Sequence, residues 1–269
     1  MRFISILALL LVVLSCQKDK KNVQSLEISD VPKLYERQEI IELSGPCAED
    51  SASNRCLNIR VEVPFFLADT LGDMAGKLNE QVKKDIFAFS FPEANHASYD
   101  SLISELASEH ERILNDYPDY NQPWNLEILS DIIYETKDFV SMATNVFYFT
   151  GGAHPNNSQI YASYDLKTGK RIALEDILKP DALEELNRAA EIEFRMLKRI
   201  PPDITLEEEG YRFENDRFSL NNNFAILNKS LIFYFNPYEI GAYTLGSTEL
   251  QLNFTDYAHL IKNGSFIDN

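Results

Sequence analysis

Within residues 149–172, FTGGAHPNNSQIYASYDLKTGKRI, two glycines, a histidine, a proline and two asparagines stand between stretches that alternate like β-strands. The imidazole of His154 can serve as acid, base or hydrogen-bond donor near neutral pH. Gly151 and Gly152 accept positive φ without a Cβ clash, so the strand ending at Thr150 can turn sharply and bring backbone amides towards whatever occupies the turn. Pro155 pushes the residue before it to extended geometry, which holds His154 in place. Its partners on offer are Asn156, Ser158 and Asp165 close by, and Tyr238 and Glu239 in a later proline turn. Structural roles compete with chemical ones here: His154 bonding loop backbone, Tyr238 packing beneath its turn, and Glu239 accepting from free amides.

The sequence signatures of common hydrolases are missing. No G-x-S-x-G elbow presents a serine nucleophile. His96, His110, His154 and His259 are scattered and show neither H-x-x-x-H nor H-E-x-x-H spacing, so no metal is expected, nor any other cofactor. The 42 acidic residues supply carboxylate pairs everywhere and therefore single out none. The expected site is a ligand-binding surface of Gly151, Gly152, His154, Asn156, Tyr238 and Glu239. Hydrolysis by His154 with Glu239 or Asp165 is the alternative.

The chain opens MRFISILALLLVVLSC, one basic residue followed by an apolar run too short to span a bilayer, the pattern of a secretory signal peptide over residues 1–15. Val13-Leu14-Ser15-Cys16 resembles a lipoprotein cleavage box, which makes Cys16 the expected lipidation site and an N-terminal lipid the expected link to the membrane. Cysteine chemistry is then closed off elsewhere, because Cys47 and Cys56 lie in a polar loop of an exported chain and are expected to pair. A bridge over so short a loop contributes roughly 2–3 kcal/mol. Removing residues 1–15 takes away Arg2 and no acid, so the net charge goes from −17 to −18. Such a surface repels nucleic acid and anionic headgroups, keeps an exported protein soluble, and would draw a cationic partner.

The elements that must position the site follow from periodicity. Residues 16–39 read as a polar tether. LNIRVEVPFF places Ile59, Val61, Val63 and Phe65 at period two, a strand stopping near Pro64. Leu71, Met74, Leu78, Val82 and Ile86 recur at helical spacing, as do Tyr99, Leu102, Leu106 and Ile113. Three strands follow between Trp124 and Tyr164, joined by short links that favour antiparallel neighbours. The glycine-containing turn Asp165–Lys170 comes next, then a helix over 182–198 with Leu183, Leu186, Ala190, Phe194 and Leu197 on one face, ended by Pro201-Pro202. Residues 203–223 read as an acidic loop with one short strand. Strands near 224–227, 231–235 and 249–254 and a short helix carrying Tyr257, Leu260 and Ile261 complete the chain. The fold class expected is α+β, two small lobes of mostly antiparallel sheet with packed helices, one at 40–160 and one at 161–269.

Three blocks carry a family resemblance: Cys47 and Cys56 running into Val63-Pro64; Gly151-Gly152-Ala153-His154-Pro155-Asn156 with Tyr164-Asp165 and Thr168-Gly169-Lys170; and Phe235-Asn236-Pro237-Tyr238-Glu239-Ile240 with Gly246. Over roughly residues 40–265 the chain resembles exported bacterial proteins with paired DUF4163-like and DUF3298-like domains of unknown function. Members include the extracellular part of a lysozyme-sensing anti-sigma factor and the N-terminal region of certain peptidoglycan deacetylases. Where many relatives have glycine this chain has Pro155. The anti-sigma factor's transmembrane and cytoplasmic segments, and the deacetylases' separate metal-dependent catalytic domain, have no counterpart in the sequence. The resemblance therefore implies a non-enzymatic, lipid-anchored cell-envelope binding module, whose ligand is a cationic, lysozyme-like protein or a cell-wall glycan.

Overall fold

The computed structural model describes residues 33–50, 53–91, 96–264 and 266–267. The apolar leader, Cys16 and most of the polar segment read as a tether lie outside them. The elements in chain order are β1 (Tyr35–Ser44), β2 (Leu57–Phe66), α1 (Ala68–Leu71), α2 (Asp73–Ser90), α3 (Tyr99–Asp116), β3 (Trp124–Glu135), β4 (Phe139–Phe149), β5 (Asn156–Asp165), α4 (Leu174–Ile177), α5 (Ala182–Lys198), β6 (Phe224–Ile226), β7 (Ser230–Phe235), β8 (Thr248–Asn253) and α6 (Phe254–Tyr257). They build a five-stranded sheet in the order β1-β2-β3-β4-β5 and a three-stranded sheet in the order β6-β7-β8. The α+β class follows. All pairs are antiparallel except β2 with β3, whose parallel register requires the long crossover supplied by α2 and α3.

Each sheet has its own core. Ile59, Val61, Val63, Leu126, Ile128 and Met142 pack with Leu78, Val82 and Ile86 of α2 and Leu102 and Leu106 of α3. Leu186, Ala190 and Phe194 of α5 cover Phe233, Phe235, Leu250 and Leu252 of the smaller sheet. Phe194 is the centre of that second core, with Tyr211, Phe213, Phe218 and Phe235 around it at ring separations of 5.0–6.4 Å. His110 belongs to the first core. It is buried against Trp124, and burial followed by the charge of Arg55 pushes its pKa down.

Several expectations need correcting. Residues 35–39 are not tether but the first half of β1, a strand hidden in the sequence by Glu36, Arg37 and Glu39. Such charges are usual on a sheet edge, where they discourage pairing with other chains. β2 runs through Pro64 to Phe66. Beyond Glu62 it has β1 as its sole partner, which leaves room for a residue without an amide proton. Phe65 faces outward and Phe66 is the buried ring. On α5, Ala182 is buried, whereas Leu183 and Leu197 are exposed. Residues 203–223 hold no strand, only a bridge from Tyr211 to Gly241 and a 3₁₀ turn at Glu214–Asp216. The Cys47–Cys56 disulfide is present, with Cα atoms 5.3 Å apart, at the end of the β1–β2 pair.

The halves meet along β5. This strand crosses residue 160, where the lobes were expected to divide, and ends the five-stranded sheet. Its outward amides and carbonyls at Gln159 and Tyr161 are taken up by side chains, and those further along by the backbone of residues 170–172. Asn236 accepts from the Gln159 amide at 2.8 Å and donates to the Gln159 carbonyl at 3.0 Å. Asn223 accepts from the Tyr161 amide at 2.6 Å and donates to the carbonyls of Gln159 and Tyr234. Arg171 donates to the Tyr161 carbonyl, and the amide of Ile172 to that of Ser163. Beside them the buried hydroxyls of Ser141 and Ser163 bond each other and the backbone of Ile226 in β6.

Replacing the buried Asn223 by Ala leaves the partly buried Tyr161 amide without its side-chain partner. The expected loss of unfolding free energy is about 1–3 kcal/mol in denaturant titration. Asn156→Ala, at an exposed position on the same strand, is expected to shift it by less than about 0.5 kcal/mol.

Candidate functional site

The connection from β4 to β5, residues 150–155, is the glycine-histidine segment, and both glycines adopt left-handed backbone, φ 95° at Gly151 and 107° at Gly152. The turn leans on the chain just ahead of β3. A Cβ on Gly151 would run into the Tyr120 hydroxyl and come within 3.1 Å of Gln122 Oε1, whereas one on Gly152 would meet nothing within 4 Å. Tyr120 is itself held by the Trp124 indole, whose Nε1 donates to its hydroxyl at 2.9 Å.

His154 projects from this turn and is exposed. Its Nδ1 lies 3.2 Å from the Pro155 carbonyl, and its Nε2 lies 3.3 Å from the Tyr238 hydroxyl. The ring stacks on Tyr243 at 5.0 Å and 16° between planes, with Tyr238 6.3 Å away at 30°. Tyr238 and Tyr243 are 5.2 Å apart and remain 58% and 46% exposed. Three rings, from the 150–155 connection, the turn at Asn236–Glu239 and the 3₁₀ turn at Tyr243–Leu245, thus form one open aromatic platform. Beside it lies a hollow of about 140 Å³ lined by Ser90, Tyr148, Pro155, Asn156, Tyr238 and Tyr243, among others.

The second turn explains the rest. Glu239 donates its amide to the Asn236 carbonyl at 3.1 Å, with Pro237 and Tyr238 at the central positions and φ 71° at Tyr238, the pattern of a type II turn. That central position favours glycine or asparagine, so tyrosine there is strained and is held by its surroundings. Glu239 closes the turn by accepting from the Asn236 amide at 2.8 Å and from Asn221 at 2.6 Å.

Of the sequence-derived residues, the structure brings together His154, Asn156 and Tyr238 around the platform and its hollow. Gly151 and Gly152 shape the turn beneath. Glu239 supports the Asn236–Glu239 turn, as its structural reading had it, and Tyr238 lies on the surface rather than beneath that turn. Asp165 sits at the far end of the ten-residue β5, roughly 30 Å from Asn156 at strand rise, with its carboxylate on Lys167 and Thr168. Neither carboxylate bonds the imidazole. Among the described residues no group of three or more histidines, cysteines or acids could hold a metal ion. Sequence reasoning missed Tyr243. An aromatic residue five positions after Tyr238, just before Gly246, was the signal available.

Two stretches of the chain match known family models. Residues 51–157 match the family model described as deacetylase PdaC, and residues 175–255 match the model of a protein of unknown function, DUF3298. The chain is 25% identical over 190 residues to the peptidoglycan-N-acetylmuramic acid deacetylase PdaC of Bacillus subtilis, covering 68% of this chain and 40% of that protein. It therefore spans about two fifths of the length of that curated relative. In fold it is similar to crystal structures of DUF3298 family members from Bacteroides fragilis and Pseudomonas aeruginosa. The first has a TM-score of 0.65 at 18% identity, covering 85% of this chain and 94% of that one; the second has 0.64 at 18%, covering 87% and 96%.

Gly151→Ala adds a collision to an unfavourable φ, and Gly152→Ala adds only the φ penalty. Thermal unfolding is expected to show the larger fall in Tm for Gly151→Ala.

Proposed function

We propose that this chain is a non-catalytic cell-envelope binding module that holds wall glycan on the platform of His154, Tyr238 and Tyr243. The observation that carries the reading is the exposure of three adjoining rings, His154 stacked on both tyrosines, whose neighbouring carboxylate, Glu239, is already committed to backbone and side-chain amides. Sugars present apolar C–H faces to aromatic rings and hydroxyls to groups such as Asn156 and the Tyr238 hydroxyl. The name of the Bacillus relative points to the same polymer. A hydrolase would need the imidazole paired with an acid, and its contacts are a carbonyl and a phenol instead.

The net charge of −17 favours a second reading, in which a cationic, lysozyme-like protein docks on the acidic surface, as the resemblance to the anti-sigma factor suggests. Salt separates the two. Protein docking by charge weakens steeply as ionic strength rises, whereas stacking of a neutral sugar does not.

Two measurements test the proposal. Calorimetry with chitin oligomers and muropeptides is expected to show binding that Tyr238→Gly weakens by about ten-fold, in line with loss of one stacked ring. Because glycine relieves the strained φ, the same variant is expected to keep or gain stability. Unaltered affinity would remove the platform from the account. For location, metabolic labelling with a palmitate analogue is expected to mark the full chain and not Cys16→Ala, and labelling of both would refute the anchor.

A further inference from the structure

The chain carries a net charge of −17, yet four of its fourteen lysines, Lys77, Lys83, Lys84 and Lys170, line one groove of about 900 Å³ between α2 and the turn after β5. Lys77 and Lys84 stand two helical turns apart, roughly 10 Å along α2. Lys170 comes from the opposite wall. That wall is set by Gly169, which is buried at φ 69° and packs so close to α2 that a Cβ would lie 2.9 Å from the Cβ of Lys77. Lys83 is paired with Glu80 at 2.8 Å, whereas Lys77, Lys84 and Lys170 make no ion pair within 4 Å among the described residues, Lys84 lying in the field of Asp85. Asp85, beside Lys84 on the helix, accepts from Gln81 at 2.8 Å and lies 3.9 Å from Arg171.

The rest of the lining is mixed, with Glu80, Gln81 and Thr168 beside an apolar stretch at one end. Phe87, Ala88 and Phe91 contribute to the groove together with His96, and Phe91 packs edge-on to Tyr148 at 5.7 Å. Tyr148 also lines the hollow beside the aromatic platform, so the two sites adjoin across one ring contact. A volume of this size suits an oligosaccharide rather than a simple ion.

We infer that the groove is a second glycan subsite, selective for saccharides that carry carboxylates: ring faces rest on the phenylalanine side, and the acid groups meet Lys77, Lys84 and Lys170. The inference deepens the glycan reading of the platform and rests on it for the choice of a sugar. The demand for an acidic one comes from the lysines. On a surface that otherwise repels anions, a local concentration of unpaired ammonium groups is what an acidic polymer requires to approach.

The test uses the full chain with chitin oligomers as neutral probes and oligogalacturonate of equal length as acidic probes, titrated at low and moderate salt. The acidic probe is expected to bind about ten-fold more tightly at low salt, the effect of a few solvent-screened charge contacts. The combined Lys77→Gln, Lys84→Gln and Lys170→Gln variant is expected to abolish that preference and to retain binding of the neutral probe. Lys84→Gln alone, a single exposed change with little risk to folding, is expected to reduce the preference two- to three-fold, about one contact's worth. Equal affinity of wild type for both probes, or a preference that survives the triple change, would overturn the inference. Phosphatidylglycerol vesicles competing for the lysines while oligogalacturonate fails to bind would overturn it as well. Loss of neutral-probe binding with the acidic preference intact would count against the platform alone.

Discussion

The exposed edge of a β-sheet must be satisfied, and here part of the outer edge of β5 is satisfied by side chains. Asn223 and Asn236 each accept through the amide oxygen and donate through the amide nitrogen, the pairing a neighbouring strand's backbone would offer, and use them on Gln159 and Tyr161. An amide side chain does this without the length of a full strand. It also ties residues more than sixty positions apart in sequence, so the edge of the five-stranded sheet is covered by the C-terminal half. The same arrangement fixes the site. Asn236 begins the turn that carries Tyr238, and β5 begins where the His154 turn ends, so a single set of bonds aligns the two turns whose rings stack.

Much of this was legible in the residues. Period-two and helical patterns located all the longer helices and most strands because burial on one face leaves an apolar stripe, as in Leu78, Val82 and Ile86 or in Leu231 and Phe233. Gly151 and Gly152 announced their turn. β1 was hidden because an edge strand buries little and carries charge. The asparagines escaped notice for a different reason: Asn221-Asn222-Asn223 has the composition of a loop, and nothing local says that an amide will meet an edge sixty residues away. Tyr243 was missed likewise, since stacking between turns leaves no periodic trace.

The aromatic platform and the lysine groove solve opposite problems on one surface. The platform needs rings kept open to solvent, achieved by mounting them on three tight turns, the first backed by Tyr120 and the second closed by Glu239. The groove gathers positive charge in an acidic protein, and its far wall packs backbone rather than side chain against α2 at Gly169. Each depends on a backbone conformation that most side chains would spoil.

The disulfide has a mechanical meaning. A pull on the chain at Lys33 would load β1 at its Tyr35–Phe66 end and peel it from β2 one pair at a time towards Ser44–Leu57. There the sulfur bridge between Cys47 and Cys56 stops the run, so the freed segment reaches no more than roughly 50 Å before force passes across the covalent link into the root of β2. Stretching would then be resisted by the central strands as a block, with the asparagine-bound half still attached behind them.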